Sequence, residues 1–165
     1  MAGIRLGQRL NVQPVLIPHD LVNAEHRTSY VDLNLANWVT FVAQYAAATT
    51  GSTSDTMLIS VEASSIETSA GATKIPFTYR LTSAIDTSGM AALVAGTSDG
   101  ASVNTSDLTN SCLVVDVDPA ILPGRGERYR FVTFVSTPGS SLACVAGVVA
   151  YSEPRYPGNS IPSSS

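Results

Sequence analysis

Charged side chains are scarce in this sequence. They make up 13% of the 165 residues, with a net charge of −4, and Lys74 is the only lysine. Globular proteins carry about twice that share. The deficit has two interpretations, which composition leaves open: a partner protein covers part of the surface, or the abundant Ser and Thr residues serve as uncharged solubilising groups. Because non-specific nucleic-acid binding needs positive charge, that class of function is disfavoured.

Cysteine, histidine and long hydrophobic runs are also rare. Cys112 and Cys144 lie in apolar, strand-like runs, so we expect two buried free thiols and no disulfide in a reducing cytoplasm. With two histidines and no C-x-x-C motif, we expect no zinc site, and we predict no metal or cofactor of any kind. No run approaches the ~18 apolar residues of a membrane span, and no signal peptide is visible at the start. The sequence therefore predicts synthesis in the cytoplasm and no membrane partner.

Catalytic motifs are missing as well. The sequence has no phosphate-binding glycine loop and no G-x-S-x-G elbow. His19 and His26 lie in a polar segment without a nearby nucleophile. Asp116 and Asp118 share one strand face, where paired carboxylates could do acid–base work or bind calcium. We favour a structural role, in which Asp118 caps the following turn and Asp116 pairs with an arginine, and we predict that the chain is not an enzyme.

What the sequence does contain is a series of short strands. The clearest covers residues 74–81, where Ile75, Phe77, Tyr79 and Leu81 alternate with more polar residues. About eight such strands with turn residues between them predict an all-β protein, a single sandwich or small barrel. We assign residues 1–20 to an N-terminal arm and first strand, 21–150 to the β domain, and 151–165 to an extended C-terminal arm.

The C-terminal arm differs from a simple linker. Three prolines remove backbone donors and favour an extended chain, while two tyrosines and an isoleucine supply groups for contact. These residues are Pro154, Pro157, Pro162, Tyr151, Tyr156 and Ile161. Such an arm suggests assembly more than catalysis.

One basic cluster occupies residues 125–130. Arg128 and Arg130 share a strand face there. They could anchor carboxylates of a partner protein, or they could charge a hairpin surface so that its edge does not pair wrongly. Binding of nucleic acid would require more basic residues than this cluster provides.

Several short segments together resemble a known family. They are CLVVDVDPAIL at 112–122, RYRFV at 128–132 and YSEPRYP at 151–157, with YVDL at 30–33 and AIDTSG at 84–89 upstream. In this order they resemble the head decoration, or cement, proteins of tailed double-stranded DNA phages. The resemblance extends from about residue 30 to residue 161.

This resemblance implies a β-sandwich or barrel-like protein that coats the capsid exterior of the virion. It would be a homo-oligomer, with a trimer favoured over a dimer, and would bridge subunits of the major capsid protein. No enzymatic activity, small-molecule substrate or nucleic acid would be involved. The side chains we expect at capsid or subunit contacts are Arg5, Arg9, Arg128, Arg130, Tyr151, Arg155, Tyr156 and Ile161.

Two other functions remain open from the sequence. The exposed aromatic residues and the loops rich in Ser, Thr and Asn would also suit a tail- or fibre-associated module that binds a host surface glycan. A small glycan hydrolase using Asp116 and Asp118 is the third hypothesis.

Overall fold

The chain consists almost entirely of antiparallel strands. A computed structural model describes residues 10–22, 24–50, 55–82, 92–122, 129–139 and 142–154. The strands are β1 (Asn11–Val22), β2 (His26–Arg27), β3 (Val31–Asp32), β4 (Ala36–Thr50), β5 (Thr56–Ser64), β6 (Thr73–Ile75), β7 (Phe77–Thr82), β8 (Val94–Gly96), β9 (Ala101–Asn104), β10 (Ser111–Val117), β11 (Phe131–Pro138) and β12 (Leu142–Pro154). A single helical turn, α1 (Thr105–Leu108), and a 3₁₀ turn (Pro119–Ile121) complete the described elements.

These strands form two sheets of six. Sheet A has the order β1-β12-β4-β10-β7-β8. Sheet B has the order β2-β11-β5-β6, with β3 also pairing with β11 and β9 with β5. The prediction of an all-β sandwich is confirmed.

The strands pair in a nested order, from the two ends of the sequence towards its middle. The first strand pairs with the last, β2 and β3 pair with β11, β4 pairs with β10, and β5 pairs with β6 and β9. Two facing sheets with this nested antiparallel pairing constitute a jelly roll. Strands β7 and β8 extend sheet A beyond β10.

The core lies between the two sheets. In β10 every second residue is buried, as expected for a strand with one face on the core. The rings of Phe41 in sheet A and Phe134 in sheet B stack with centroids 6.1 Å apart. The hydroxyls of Tyr45 and Ser136 lie 3.2 Å apart in this core, and burial raises the pKa of Tyr45 above its ordinary value. The two sheets are thus joined by both apolar and polar contacts.

Proline divides the strand that the sequence predicted over residues 74–81. Residues up to Ile75 belong to β6 in sheet B, and Phe77 begins β7 in sheet A. Pro76, between them, cannot donate a ladder hydrogen bond, so pairing stops there. The chain changes sheets at this point, and both Ile75 and Phe77 remain buried.

Both ends of the described chain lie in sheet A. Residues 1–20 were assigned to an N-terminal arm and first strand; β1 covers twelve residues and continues past Pro18 to Val22, with register shifts after Pro14 and Leu16. The last strand also continues beyond Ala150 to Pro154. Residues 151–154, which we had assigned to the C-terminal arm, are therefore paired sheet residues. Strand β4 extends to Thr50.

Candidate interaction surface

The outer face of sheet A is the side of its strands that points away from the core. Residues paired across neighbouring strands share a face. One outer row therefore contains Tyr151, Thr40 and Asp116. The next row contains Val149, Val42 and Val114. Valines thus occupy the outward positions of three adjacent strands, where polar residues are the usual choice.

A groove runs over this outer face. Its volume is about 950 Å³. None of the described residues that line it carries a charge. They are Pro14, Leu16, Ile17, Pro18, Val42, Gln44, Tyr45, Ala46, Thr82, Asn110, Ser111, Cys112, Val145, Ala146, Gly147, Val148, Val149 and Tyr151. We call this feature the sheet A groove.

One wall of the sheet A groove comes from β1. Ile17 there is 79% exposed, and Val145 on the neighbouring β12 is also exposed. Gly147 allows the two strands to approach closely, because a Cβ at this position would lie 3.0 Å from Cγ of Pro18. The proline-containing edge strand therefore sits tightly against β12 and leaves apolar side chains facing solvent.

A smaller cavity of about 360 Å³ lies towards the start of β4, and Trp38, Asp116 and Asp118 are among its lining residues. The Trp38 indole donates to Glu153 Oε2 at 3.1 Å. Asp118 caps the 3₁₀ turn by accepting from the Ala120 amide at 2.7 Å, as the sequence predicted.

The hydrogen-bond partner of Asp116 differs from the one that the sequence predicted. Its carboxylate accepts a hydrogen bond from the Thr40 hydroxyl, and this is its hydrogen-bond partner within the described chain, where we expected an arginine. Thr40 lies directly opposite Asp116 in the β4–β10 register. The two carboxylates thus have separate local partners on the protein itself.

Two of the predicted contact residues fall within the described chain. Tyr151 lies on β12 and lines the sheet A groove. Arg130 lies just before β11 in sheet B, where its Nε donates to Asp32 Oδ2 at 2.9 Å and its guanidinium stands 4.9 Å from the Phe131 ring centroid. The hydrogen bond and charge of Asp32 raise the pKa of Arg130.

The structure does not bring Tyr151 and Arg130 together, because they belong to different sheets. The other predicted contacts lie outside the described residues: Arg5, Arg9, Arg128, Arg155, Tyr156 and Ile161.

Sequence reasoning missed the outward valines as functional residues. A signal was present in residues 38–45, whose two alternating faces both carry apolar side chains. That pattern indicated a strand covered in part on both sides, but not which strands would lie beside it. Val149 of β12 and Val114 of β10, which pair with Val42, lie 107 and 72 residues further along the chain. Only the fold therefore assembles the groove.

The cysteines and histidines form no metal cluster in the part of the chain that is described. Cys112 and Cys144 are both free, and burial raises the pKa of Cys112, and that of Cys144 to about 11. No group of three or more His, Cys, Asp or Glu within the described ranges could hold a metal ion. Among the same residues, no helix has the length and apolarity to cross a membrane.

Comparison with known proteins assigns no family to this chain. No protein-family model matches the chain, and no curated protein matches it. Two solved chains show weak similarity, from the structures of the Gx and Gt strains of infectious bursal disease virus. They are 13% and 12% identical to this chain, each with a TM-score of 0.25.

In both cases the match covers 89% of this chain but 41% of the virus chain, so this chain spans less than half of their length. At a TM-score of 0.25 the similarity carries no argument about function.

Proposed function

We propose that this chain is a capsid decoration protein of a phage virion, with a structural and not a catalytic role. It binds the outer surface of the icosahedral head as a homo-oligomer, and it stabilises the head by bridging neighbouring major capsid protein subunits. The observation that carries this proposal is the uncharged sheet A groove on a jelly-roll framework.

The groove supports a role in assembly. Protein interfaces are depleted of charged residues at their centres, and the described lining of this groove has none. Burial of apolar surface stabilises a complex by roughly 25 cal/mol per Å² before the cost of association. An open apolar face of this kind is better suited to burial against protein than to permanent exposure.

The framework also supports the proposal. Jelly rolls recur in the domains of viral capsids, although a fold alone does not determine function. Here the fold places Asn11 opposite Ser152 in neighbouring strands. The N-terminal residues 1–9 and the C-terminal residues 155–165 therefore continue from adjacent points, and both can engage the same region of a shell. Many copies on one shell would multiply a weak contact into a strong one.

Reconstitution on particles tests this proposal. Heads that lack the protein are mixed with the purified full chain, and bound protein is imaged by cryo-electron microscopy. We expect density repeated over the whole shell, and greater resistance of the decorated heads to heat. A chain lacking residues 1–9 and a chain ending at Pro154 should each bind more weakly. The shortened chain ends at Pro154 and not at Ala150, the last residue assigned to the β domain from the sequence, because Tyr151 and Ser152 pair with β1 and β4.

The matched control replaces an exposed apolar residue elsewhere. Ile66→Glu lies in the loop after β5 and outside the groove, so it should bind heads as the full chain does. Absence of binding of the full chain to heads that lack the protein would refute the proposed function.

A second candidate is a tail- or fibre-associated module that binds a host surface glycan. The observation in its favour is the small cavity where Trp38 lies beside Asp116 and Asp118, since an aromatic ring and carboxylates suit a sugar's apolar face and hydroxyls. Density at one vertex only, together with binding to host polysaccharide that Trp38→Ala abolishes, would favour this function over decoration.

A further inference from the structure

The sheet A groove has dimensions that fit an extended peptide. Its lining on β12 runs from Tyr151 to Val145. Six residues of strand correspond to about 20 Å. Two prolines and one outward tyrosine are among the lining residues: Pro14, Pro18 and Tyr151. Grooves lined by aromatic residues bind proline-containing segments in extended conformations.

Residues 155–165 have the matching chemistry. After Arg155 this segment contains no charged side chain, and its large apolar groups are Tyr156 and Ile161. Pro157 and Pro162 lack the N–H needed to extend a strand edge. Such a segment is suited to lie on the face of a sheet, where side chains make the contacts. The basic N-terminal residues 1–9, with Arg5 and Arg9, fit an uncharged groove less well.

The length of this segment argues against its own groove as the binding site. The chain leaves β12 at Pro154, three residues beyond the nearest groove residue on that strand. To return, it must reverse direction, and the Pro157-Gly158 pair is the signal for that turn. Ile161 would then lie about level with Pro154, outside the groove, and only the serines would reach Tyr151. A segment from another copy is free of this restriction.

We propose that residues 155–165 of one copy bind in the sheet A groove of a second copy. Tyr156 and Ile161 pack against the apolar wall and floor formed by Ile17, Val42 and Val149. This inference rests on the self-association in the proposed function and deepens it by naming the contact. A head-to-tail exchange of this kind forms a closed ring where the rotation between successive copies closes, and an open assembly where it does not.

A complementation experiment tests the exchange. The first variant is the full chain with Ile17→Glu, which has a defective groove but keeps residues 155–165. The second variant is the chain that ends at Pro154, which has an intact groove but lacks residues 155–165. All described strands lie within residues 10–154, and Ile17 is 79% exposed, so both variants should fold; circular dichroism verifies this, and Val149→Glu serves as a second groove variant.

We expect the full chain to be oligomeric in size-exclusion chromatography with light scattering, and each variant alone to be monomeric. Mixed together, the two variants should form a 1:1 complex. A labelled peptide of residues 155–165 should bind the shortened chain and bind at least about tenfold more weakly when Ile17→Glu is added, a loss of about 1.4 kcal/mol. Ile66→Glu is the matched control and should leave peptide binding unchanged.

Three results would overturn the exchange. The mixture could remain monomeric, the shortened chain could keep the oligomeric state of the full chain, or the full chain could be monomeric with its groove closed to the peptide, which would mean that each arm binds its own groove. None of these results depends on heads. A chain that binds heads but fails complementation refutes the exchange alone, whereas failure to bind heads refutes the proposed function.

Discussion

Arg27 of β2 forms a two-point ion pair with Glu62 of β5, reaching across the intervening strand β11. The second of its contacts, Nη2 to Oε1, measures 3.3 Å, and the same Nη2 lies 2.6 Å from Glu25. The Glu62 side chain is only 8% exposed. The hydrogen bond and charge of Glu62 raise the pKa of Arg27. One guanidinium thereby links β2 and β5, which are not adjacent in sheet B.

Removal of Arg27 should destabilise the protein, because it leaves the buried Glu62 carboxylate without its cation. We expect Arg27→Met to lower the free energy of unfolding by about 2–3 kcal/mol, less than for a fully buried pair since Arg27 is partly exposed. Urea unfolding measures this. The double variant Arg27→Met, Glu62→Leu should be more stable than the single one. Arg130→Met is the comparison: the Arg130 side chain is 46% exposed against 28% for Arg27, so its removal should lower the free energy of unfolding by less.

Two glycines with positive φ should differ in their tolerance of alanine. At Gly100, φ is +96° and a Cβ would lie 2.7 Å from the carbonyl oxygen of Ile59. At Gly71, φ is +74° and no atom lies within 4 Å of that position. Gly71→Ala should therefore cost only the backbone strain, about 1 kcal/mol, and Gly100→Ala at least about 2 kcal/mol. Equal melting temperatures for the two variants would contradict this expectation.

A histidine pair at the junction of β1 and β2 should make stability depend on pH. His19 Nδ1 donates to the Ile17 carbonyl at 2.9 Å, which leaves its Nε2 as the acceptor for His26 Nδ1 at 3.1 Å. His26 Nε2 is buried, and none of the described residues forms a hydrogen bond with it. Burial, with a smaller effect from the charge of His19, lowers the pKa of His26. The fold therefore favours neutral His26.

The direction of this pH dependence follows from the protons that His26 binds in the unfolded and folded states. Below its ordinary pKa of about 6.5, unfolded His26 binds a proton that the folded protein resists. Its contribution to stability should be complete above that pH and should be lost as the pH falls towards the lowered pKa. Unfolding free energies between about pH 5 and 8 measure this dependence. His26→Asn should flatten the curve, although Asp20, Glu25 and Arg27 nearby remain; an unchanged curve would exclude His26 as its source.

Both thiols should react slowly in the folded protein. The pKa of Cys144 is raised to about 11 by burial and then by the charge of Asp20, and burial also raises that of Cys112. Because the thiolate is the reactive form, a disulfide reagent at neutral pH should label neither residue rapidly and both after unfolding. Rapid labelling of native Cys144→Ser would show that Cys112 is more accessible than its position in the groove lining indicates.

Local patterns predicted the sandwich well. In β10 the run from Cys112 to Val117, rich in Val, predicted a strand, and the structure buries Leu113, Val115 and Val117 on one face of it. The capping role of Asp118 was also predictable, because an aspartate before proline is a strong capping signal. These features depend on residues that are close together along the chain.

Features that depend on distant pairing could not be predicted in this way. Pro14 and Pro18 suggested an arm, yet β1 is held as a strand by β12, more than 120 residues later. Similarly, no local pattern indicates that Asp32 would bind Arg130. The groove requires β1, β12, β4 and β10 to be neighbours, so Tyr151 could be named as a contact residue, whereas the surface it belongs to could not.

The pairing of Asn11 with Ser152 also has a practical consequence for protein engineering. Opposed residues in antiparallel strands lie about 5 Å apart, so a short linker should join the two ends of the sheet without distorting it. A circular permutant could then open in the exposed loop at residues 65–71. In a chain without the linker, cargo fused before Asn11 and after Ser152 would instead leave sheet A at adjacent points. The jelly roll would then be a display scaffold with both attachment points on the same side.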